Sequence, residues 1–378
     1  MDSVALSAAR SFEAGPRDAA NLSTSEMEKL AVPKVRATPF AWRDPATIPV
    51  RPWIYGRQLL RGTVTLVIAP GATGKSALMT GTALALVSGQ PLLGKTVWDR
   101  PQRVWLWNLE DDGDELARSI MAGVIHWELS PEDIEDRLFV DSGLDGARLC
   151  TADASQDGLI VRPVIEALTA ELRARKIDVL IVDPFISSHA VDENDNPAID
   201  AVVKEWARIA TKVGCAIVLV HHSRKTGGHE IDAESSRGAK ALVDGARLAL
   251  ALNRMSKDEA EQFGIGPDER KLYFRVDGAK VNRAPAGSSD WFHLKSVALG
   301  NALDGGDHLP VVVPWSPPDA FDGVTVDHLR KVQALIAQGE WRDNQQASDW
   351  AGHAVAQVLG LDLETKADKA RARSILSQ

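Results

Sequence analysis

The stretch Ala69-Pro70-Gly71-Ala72-Thr73-Gly74-Lys75-Ser76 has the residue types and spacing of a phosphate-binding loop, with Ala69 where that pattern usually begins on glycine. Gly71, Ala72, Thr73 and Gly74 suit a tight turn whose successive backbone N–H groups wrap the β- and γ-phosphates of a nucleotide. Lys75 adds a point charge, and the Ser76 hydroxyl is placed to sit on Mg²⁺. An apolar run from Thr63 to Ala69 precedes the loop and a helix-compatible run from Ser76 to Val87 follows it, which sets the phosphates on a helix N-terminus. Without that context the same residues would be a glycine-rich turn carrying a surface lysine.

Phosphoryl transfer also needs carboxylates. The run Val179-Leu180-Ile181-Val182 ends in Asp183, where a buried strand can present an acid to the Mg²⁺ shell, although the same aspartate can cap a turn before Pro184. Pro184 and Phe185 come next, so a catalytic glutamate does not adjoin the metal acid and has to come from another strand. Arg103 to Leu109 is such a strand, and Glu110 is the first carboxylate where it stops. The rival reading makes Glu110 one of a group with Asp111, Asp112, Asp114 and Glu115 that complements the positive end of the following helix; it fits the later acids better than Glu110.

A third strand, Ala216 to Val220, ends in His221-His222-Ser223-Arg224-Lys225, where a side chain can touch the γ-phosphate and signal to the loop Lys225 to Ser235. Adjacent histidines also suggest a metal, but neighbours on a strand point to opposite faces and do not readily share one ion. The segment Ser236-Arg237-Gly238 to Leu248 places Arg247 where a helical run gives way to a strand. An arginine there can reach a neighbouring subunit's phosphates; on composition alone a surface salt bridge accounts for it better.

Four short apolar runs (Thr63 to Ala69, Arg103 to Leu109, Val179 to Val182, Ala216 to Val220) alternate with helical spacings at Ile160, Val164, Ile165, Leu168 and Leu172, and again at Ile199, Val202, Val203, Trp206, Ile209 and Val213. Strand and helix in alternation predict an α/β fold with a mainly parallel sheet. Leu248 to Leu252, Leu272 to Val276 and Trp291 to Leu294 are expected to add antiparallel edge strands. The expected divisions are a flexible arm over 1–50, an ATPase domain over 51–298, a Gly- and Pro-rich linker over 299–324, and a small helical domain over 325–378 of about three short helices, for which a winged helix is one form. Trp53 and Tyr55 either stack on a base or anchor the arm to the core.

With 378 residues, 44% hydrophobic and 25% charged, the chain has the composition of an ordinary globular protein. It has no run of about 18 apolar residues and no apolar core of a signal peptide, so no membrane partner is expected. Cys150 and Cys215 cannot build a disulfide framework, which suits the cytoplasm. The formal charge is −9, and ten acids against two arginines within 110–137 account for nearly all of it. Any nucleic-acid contact is therefore expected to be local rather than spread over the surface.

Taken together, APGATGKS, Glu110, Asp183, the Gly214-to-His222 run, Ser236-Arg237-Gly238 to Arg247, and Lys280 ahead of Trp291-Phe292 resemble the RepA-type hexameric replicative helicases of plasmids and, more widely, the RecA- and DnaB-like ATPases. The likeness runs from about Trp53 to Lys295. It implies a RecA-like P-loop core binding ATP and Mg²⁺, with Lys75 and Ser76 on the phosphates and metal, Glu110 as catalytic glutamate, Asp183 in the metal shell, His222 as γ-phosphate sensor, Arg247 as a finger acting in trans and Lys280 as a second trans-acting basic residue. It also implies a hexameric ring on single-stranded DNA, contacted through loops after Asp183 and His222. The arm and the tail depart from the plasmid pattern and look like those of chromosomal or phage-borne relatives; the tail is a candidate contact for a replication partner. Asp192, Glu193 and Asp195 in the first loop are poor phosphate contacts. The alternative is an ATP-switched DNA- or protein-binding ATPase that separates no strands. A small-molecule P-loop kinase would need an acceptor pocket and a basic lid, neither visible in the sequence.

Overall fold

The runs rich in branched residues fold as strands with both faces covered, in a computed structural model that describes residues 36–145, 149–153, 160–223, 240–281 and 289–377. In chain order the strands are β1 (Trp53–Tyr55), β2 (Leu59–Leu60), β3 (Val64–Ala69), β4 (Val104–Asn108), β5 (Leu138–Ser142), β6 (Val179–Asp183), β7 (Ala216–His222), β8 (Leu248–Arg254), β9 (Tyr273–Val281), β10 (Asp290–Ala298) and β11 (His308–Pro314). The helices are α1 (Lys75–Ser88), α2 (Gly113–Trp127), α3 (Pro131–Ile134), α4 (Arg162–Ala174), α5 (Asn196–Val213), α6 (Lys240–Gly245), α7 (Lys257–Phe263), α8 (Val326–Gln338), α9 (Gly352–Leu359) and α10 (Lys366–Leu376).

Nine strands form one sheet in the order β11-β10-β9-β8-β3-β7-β6-β4-β5, while β1 and β2 pair separately. The strands from β8 to β5 are parallel; β9, β10 and β11 extend the sheet antiparallel. Side chains alternate across β3. Val64, Leu66 and Ile68 pack with α4 and α5, through Leu168, Leu172, Val202 and Trp206, whereas Val67 and Ala69 pack with α1 through Leu78, Met79 and Leu84. A parallel strand sandwiched this way cannot alternate polar with apolar, which is why β3, β6 and β7 are almost unbroken apolar runs. The result is the expected RecA-like P-loop α/β core.

The structure differs from the expected elements in three places. Leu248–Arg254 is not part of the antiparallel edge but a sixth parallel strand beside β3, with Leu248 opposite Thr65 and Ala251 opposite Ile68. The expected linker over 299–324 contains β11, which pairs with β10 from Phe292↔Pro314 to Ala298↔His308. Pro310 and Pro314 disguise it, since proline signals a linker, but a strand with a partner on only one side tolerates a missing N–H. β5 was unforeseen because it is short and half-exposed, with Asp141 among its five residues.

Among the described residues, 325–377 hold three helices, α8, α9 and α10, around Val332, Trp350, Val355, Ala372 and Ile375, and no strand that would make a wing. The tail also meets the core: Lys366 pairs with Glu261 of α7, and a Cβ placed on Gly264 would stand 2.9 Å from the Ala367 Cβ. The described part of 1–50 belongs to a separate unit; it is extended and exposed, with one turn at Pro45–Thr47 capped by the Asp44 side chain. Trp53 and Tyr55 are buried in β1, where neither ring is open for a base to stack on.

Candidate active site

The C-terminal ends of β3, β7, β6 and β4 lie side by side, because Ala69 is opposite His222 and Asn108 is opposite Asp183 in the ladders. That register gathers the acids, the histidines and the phosphate loop in one crevice, where open α/β sheets bind ligands. Ala69 is the last residue of β3 and fully buried, so glycine is not required there. The loop needs its left-handed backbone later, at Ala72 (φ 56°) and Gly74 (φ 98°). Gly74 has a second reason for lacking a side chain: a Cβ would come within 3.1 Å of Leu294 and 3.5 Å of Phe274. Gly74 also caps α1 without any side-chain hydrogen bond, and the first turn of that helix has no acid, leaving N–H groups directed at the crevice.

The loop's side chains are fastened to its own backbone and to β6. Thr73 Oγ1 donates to the Pro70 carbonyl at 2.9 Å, and Lys75 Nζ donates to the carbonyls of Pro70 at 2.9 Å and Ala69 at 3.3 Å. Lys75 is buried, and burial lowers the pKa of its ammonium while Asp183 and Glu110 counteract the shift. Ser76 Oγ donates to Asp183 Oδ2 at 2.8 Å. Burial raises the pKa of the Asp183 carboxyl to about 6, against the pull of Ser76 and Lys75 and with a further push from Glu110 and Asp111. A nearly buried carboxylate beside a hydroxyl is a hard oxygen pair at which a divalent cation relieves the desolvation. Ser76 and Asp183 are thus the pair of residues that would hold a Mg²⁺ ion.

Glu110 is exposed and stands with its Oε2 3.9 Å from His222 Nε2. Asn108, the last residue of β4, positions it: the Asn108 Oδ1 accepts from the N–H of Glu110 and of Asp111, both at 2.8 Å, and its Nδ2 donates to Asp111 Oδ2 at 2.9 Å. Sequence reasoning passed over Asn108, although a strand-end asparagine before two acids is the signal of such a turn. The following acids behave as the rival reading expected. Asp112 accepts from the Glu115 N–H at 2.8 Å as the cap of α2, whose first turn holds Asp114 and Glu115. Glu110 takes no part in that cap.

His221 and His222 point to opposite sides of β7, one buried and one exposed. Burial and Lys75 lower the pKa of the His222 imidazole, while Glu110 and Glu193 raise it. Burial pushes both His221 and His189, which follows the turn after Asp183, down to about 4. Neither His221 Nδ1 nor His189 Nε2 has a hydrogen-bond partner among the described residues. A histidine kept neutral by the fold is charged more readily once the chain unfolds, so its contribution is complete above the unfolded value of 6.5 and is lost as pH falls toward 4. Acidification from pH 7 to pH 4.5 should therefore destabilise the protein by on the order of 2–3 kcal/mol per histidine. Urea unfolding at the two pH values checks this; a His189→Phe, His221→Phe protein with the same acid sensitivity would contradict it.

Arg247 and Lys280 are not brought to the loop of their own chain. The Arg247 N–H donates to the Val64 carbonyl at the start of β3, roughly 15–20 Å from the loop by strand rise, and Lys280 pairs with Ala249, level with Leu66, with its ammonium turned toward that same end of the sheet. Arg247 is exposed, and Lys280 Nζ donates to the carbonyls of Val243 at 2.8 Å and Asp244 at 3.0 Å at the end of α6. The acids of the loop after Asp183 have local partners: Asp195 caps α5 by accepting from the Ala198 N–H, and Asp192 accepts from Asn194. The loop Lys225 to Ser235 and the Ser236-Arg237-Gly238 segment lie outside the described residues.

One further cation was missed. Arg254, the last residue of β8, reaches the phosphate loop and donates to the Ala72 carbonyl. No motif marks it; only the parallel placement of β8 beside β3 brings it there.

Among the described residues no helix is long and apolar enough to cross a membrane. Residues 29–228 match the family AAA_25, described as an AAA domain, a span that includes the phosphate loop, Glu110, Asp183 and His222 and stops short of Arg247 and Lys280. Loop, acids and sheet order agree with that match, and the chain belongs to the AAA_25 family of AAA domains as a P-loop ATPase.

Proposed function

We propose that this ATPase assembles into a ring, in hexamers, and acts on single-stranded DNA as a RepA-like replicative helicase. The observation that supports this best is the split of the catalytic groups between the two ends of the sheet: Lys75, Ser76, Glu110, Asp183 and His222 at one end, Arg247 and Lys280 at the other. A finger that cannot reach its own phosphates suits a site completed by a neighbour, and a chain of such sites closes into a ring.

Within one site, Lys75 and the N–H groups of the loop would hold the phosphates, and Ser76 and Asp183 would hold Mg²⁺, whose charge would offset that of the phosphates. Glu110, oriented by Asn108, holds the attacking water and accepts its proton. His222, beside Glu110, senses the γ-phosphate from the end of β7. The neighbour's Arg247 stabilises the charge that develops on the transferred group, with Lys280 alongside it.

The second reading, an ATP-switched binding protein without strand separation, is favoured by Asp192, Glu193 and Asp195 in a loop that would face DNA. ATPase rates with and without single-stranded DNA, measured beside the assembly mass in ATP, separate the two. Stimulation by DNA together with a hexamer mass supports the helicase. A slow rate indifferent to DNA from a monomer excludes it and leaves the switch.

A further inference from the structure

The nucleotide site has a wall that none of its motifs describes, built from the ends of β8 and β10. Arg254 closes on the loop from β8 through the Ala72 carbonyl, and Leu294 of β10 closes on Gly74. Arg254 is exposed and pairs in the ladder with Phe274, which also lies against Gly74. Its charge is felt at Lys75, whose ammonium it makes easier to deprotonate. Two cations converging on one short loop repel each other, and a polyanion bound at the loop would draw on both.

The sheet order says which part of that anion Arg254 meets. Asp183 and His222 end β6 and β7 and Glu110 follows β4, all on one side of β3, whereas β8 lies on its other side. A nucleotide with its γ-phosphate toward the acids and the sensor has its α-phosphate and ribose toward β8. We propose that Arg254 is a nucleotide-binding residue acting in cis, exchanging the Ala72 carbonyl for the α-phosphate end of the ligand, the part that ATP and ADP share. This rests on the reading of Ala69 to Ser76 as a nucleotide site.

The test is the affinity of the full-length protein for fluorescent ATP and ADP analogues, with melting temperatures taken without nucleotide. Arg254→Ala should weaken both nucleotides by one common factor of roughly 10- to 100-fold, the range of a charge-assisted hydrogen bond, and leave the melting temperature unchanged. Arg254→Lys should recover part of the loss. Affinities within twofold of wild type in Arg254→Ala would overturn the proposal, and so would a loss confined to ATP, which would move the contact to the γ-phosphate. A wild-type protein that binds neither nucleotide, indistinguishable from Lys75→Ala, would instead remove the nucleotide site and the proposal with it.

Discussion

Glu110→Gln should bind ATP as tightly as wild type while its hydrolysis rate falls on the order of 10³-fold. The amide keeps the shape of the side chain, and the hydrogen bonds that position residue 110 come from its backbone N–H to Asn108, which the substitution leaves in place. What disappears is the ability to accept the proton of the attacking water. Removing the charge should not disturb the fold, since Glu110 is exposed and its neighbours Asp111 and Asp112 are the ones engaged in turns and caps. Single-turnover hydrolysis and equilibrium binding of the same preparation measure the two effects separately. Wild-type turnover would assign the base elsewhere, and Asp111 would be the next candidate, being the other acid at the end of β4.

The second large effect is expected at Arg247, and its signature is dependence on a neighbour. Arg247→Ala should lower ATPase activity by about 10³-fold even at protein concentrations that favour assembly, the lower range for an arginine acting on a transferring phosphoryl group. Binding of ATP to the isolated subunit should be untouched, because Arg247 sits at the far end of β3 from its own phosphate loop. Mixing inactive Arg247→Ala with inactive Glu110→Gln should restore activity, since a Glu110 from the first protein can meet an Arg247 from the second. Activity that survives in Arg247→Ala alone, at high concentration, would show that the arginine is a surface residue after all. Absence of rescue in the mixture, with both single variants inactive, would place Arg247 inside the fold's own requirements rather than across an interface.

Much of the site was legible because its chemistry is written in short, contiguous strings. A phosphate loop needs consecutive N–H groups, a lysine and a hydroxyl at fixed separations along one chain, so eight residues identify it. Asp183 and Glu110 could be singled out because the first ends a buried strand and the second follows one within two residues, and an acid at the end of an apolar run has few places to be. Even the acidic excess of residues 110–137 resolves into local work, with Asp112 capping α2 and Asp133 in a capping box with Ser130.

Other features follow only from the tertiary structure. Nothing near Leu248 announces that β8 would lie parallel beside β3, because the pairing of strands far apart in sequence is decided by packing across the whole sheet; Arg254 reaches the phosphate loop for that reason alone. Pro310 and Pro314 hide β11, whose position at an edge makes their missing N–H groups harmless. The sequence by itself determined the reaction class, since nucleotide phosphates are bound by local backbone geometry that a short motif encodes. The sheet order and register decided which groups share one crevice, and which, like Arg247 and Lys280, are carried to the opposite end of the sheet, because those distances depend on contacts between strands and not on spacing along the chain.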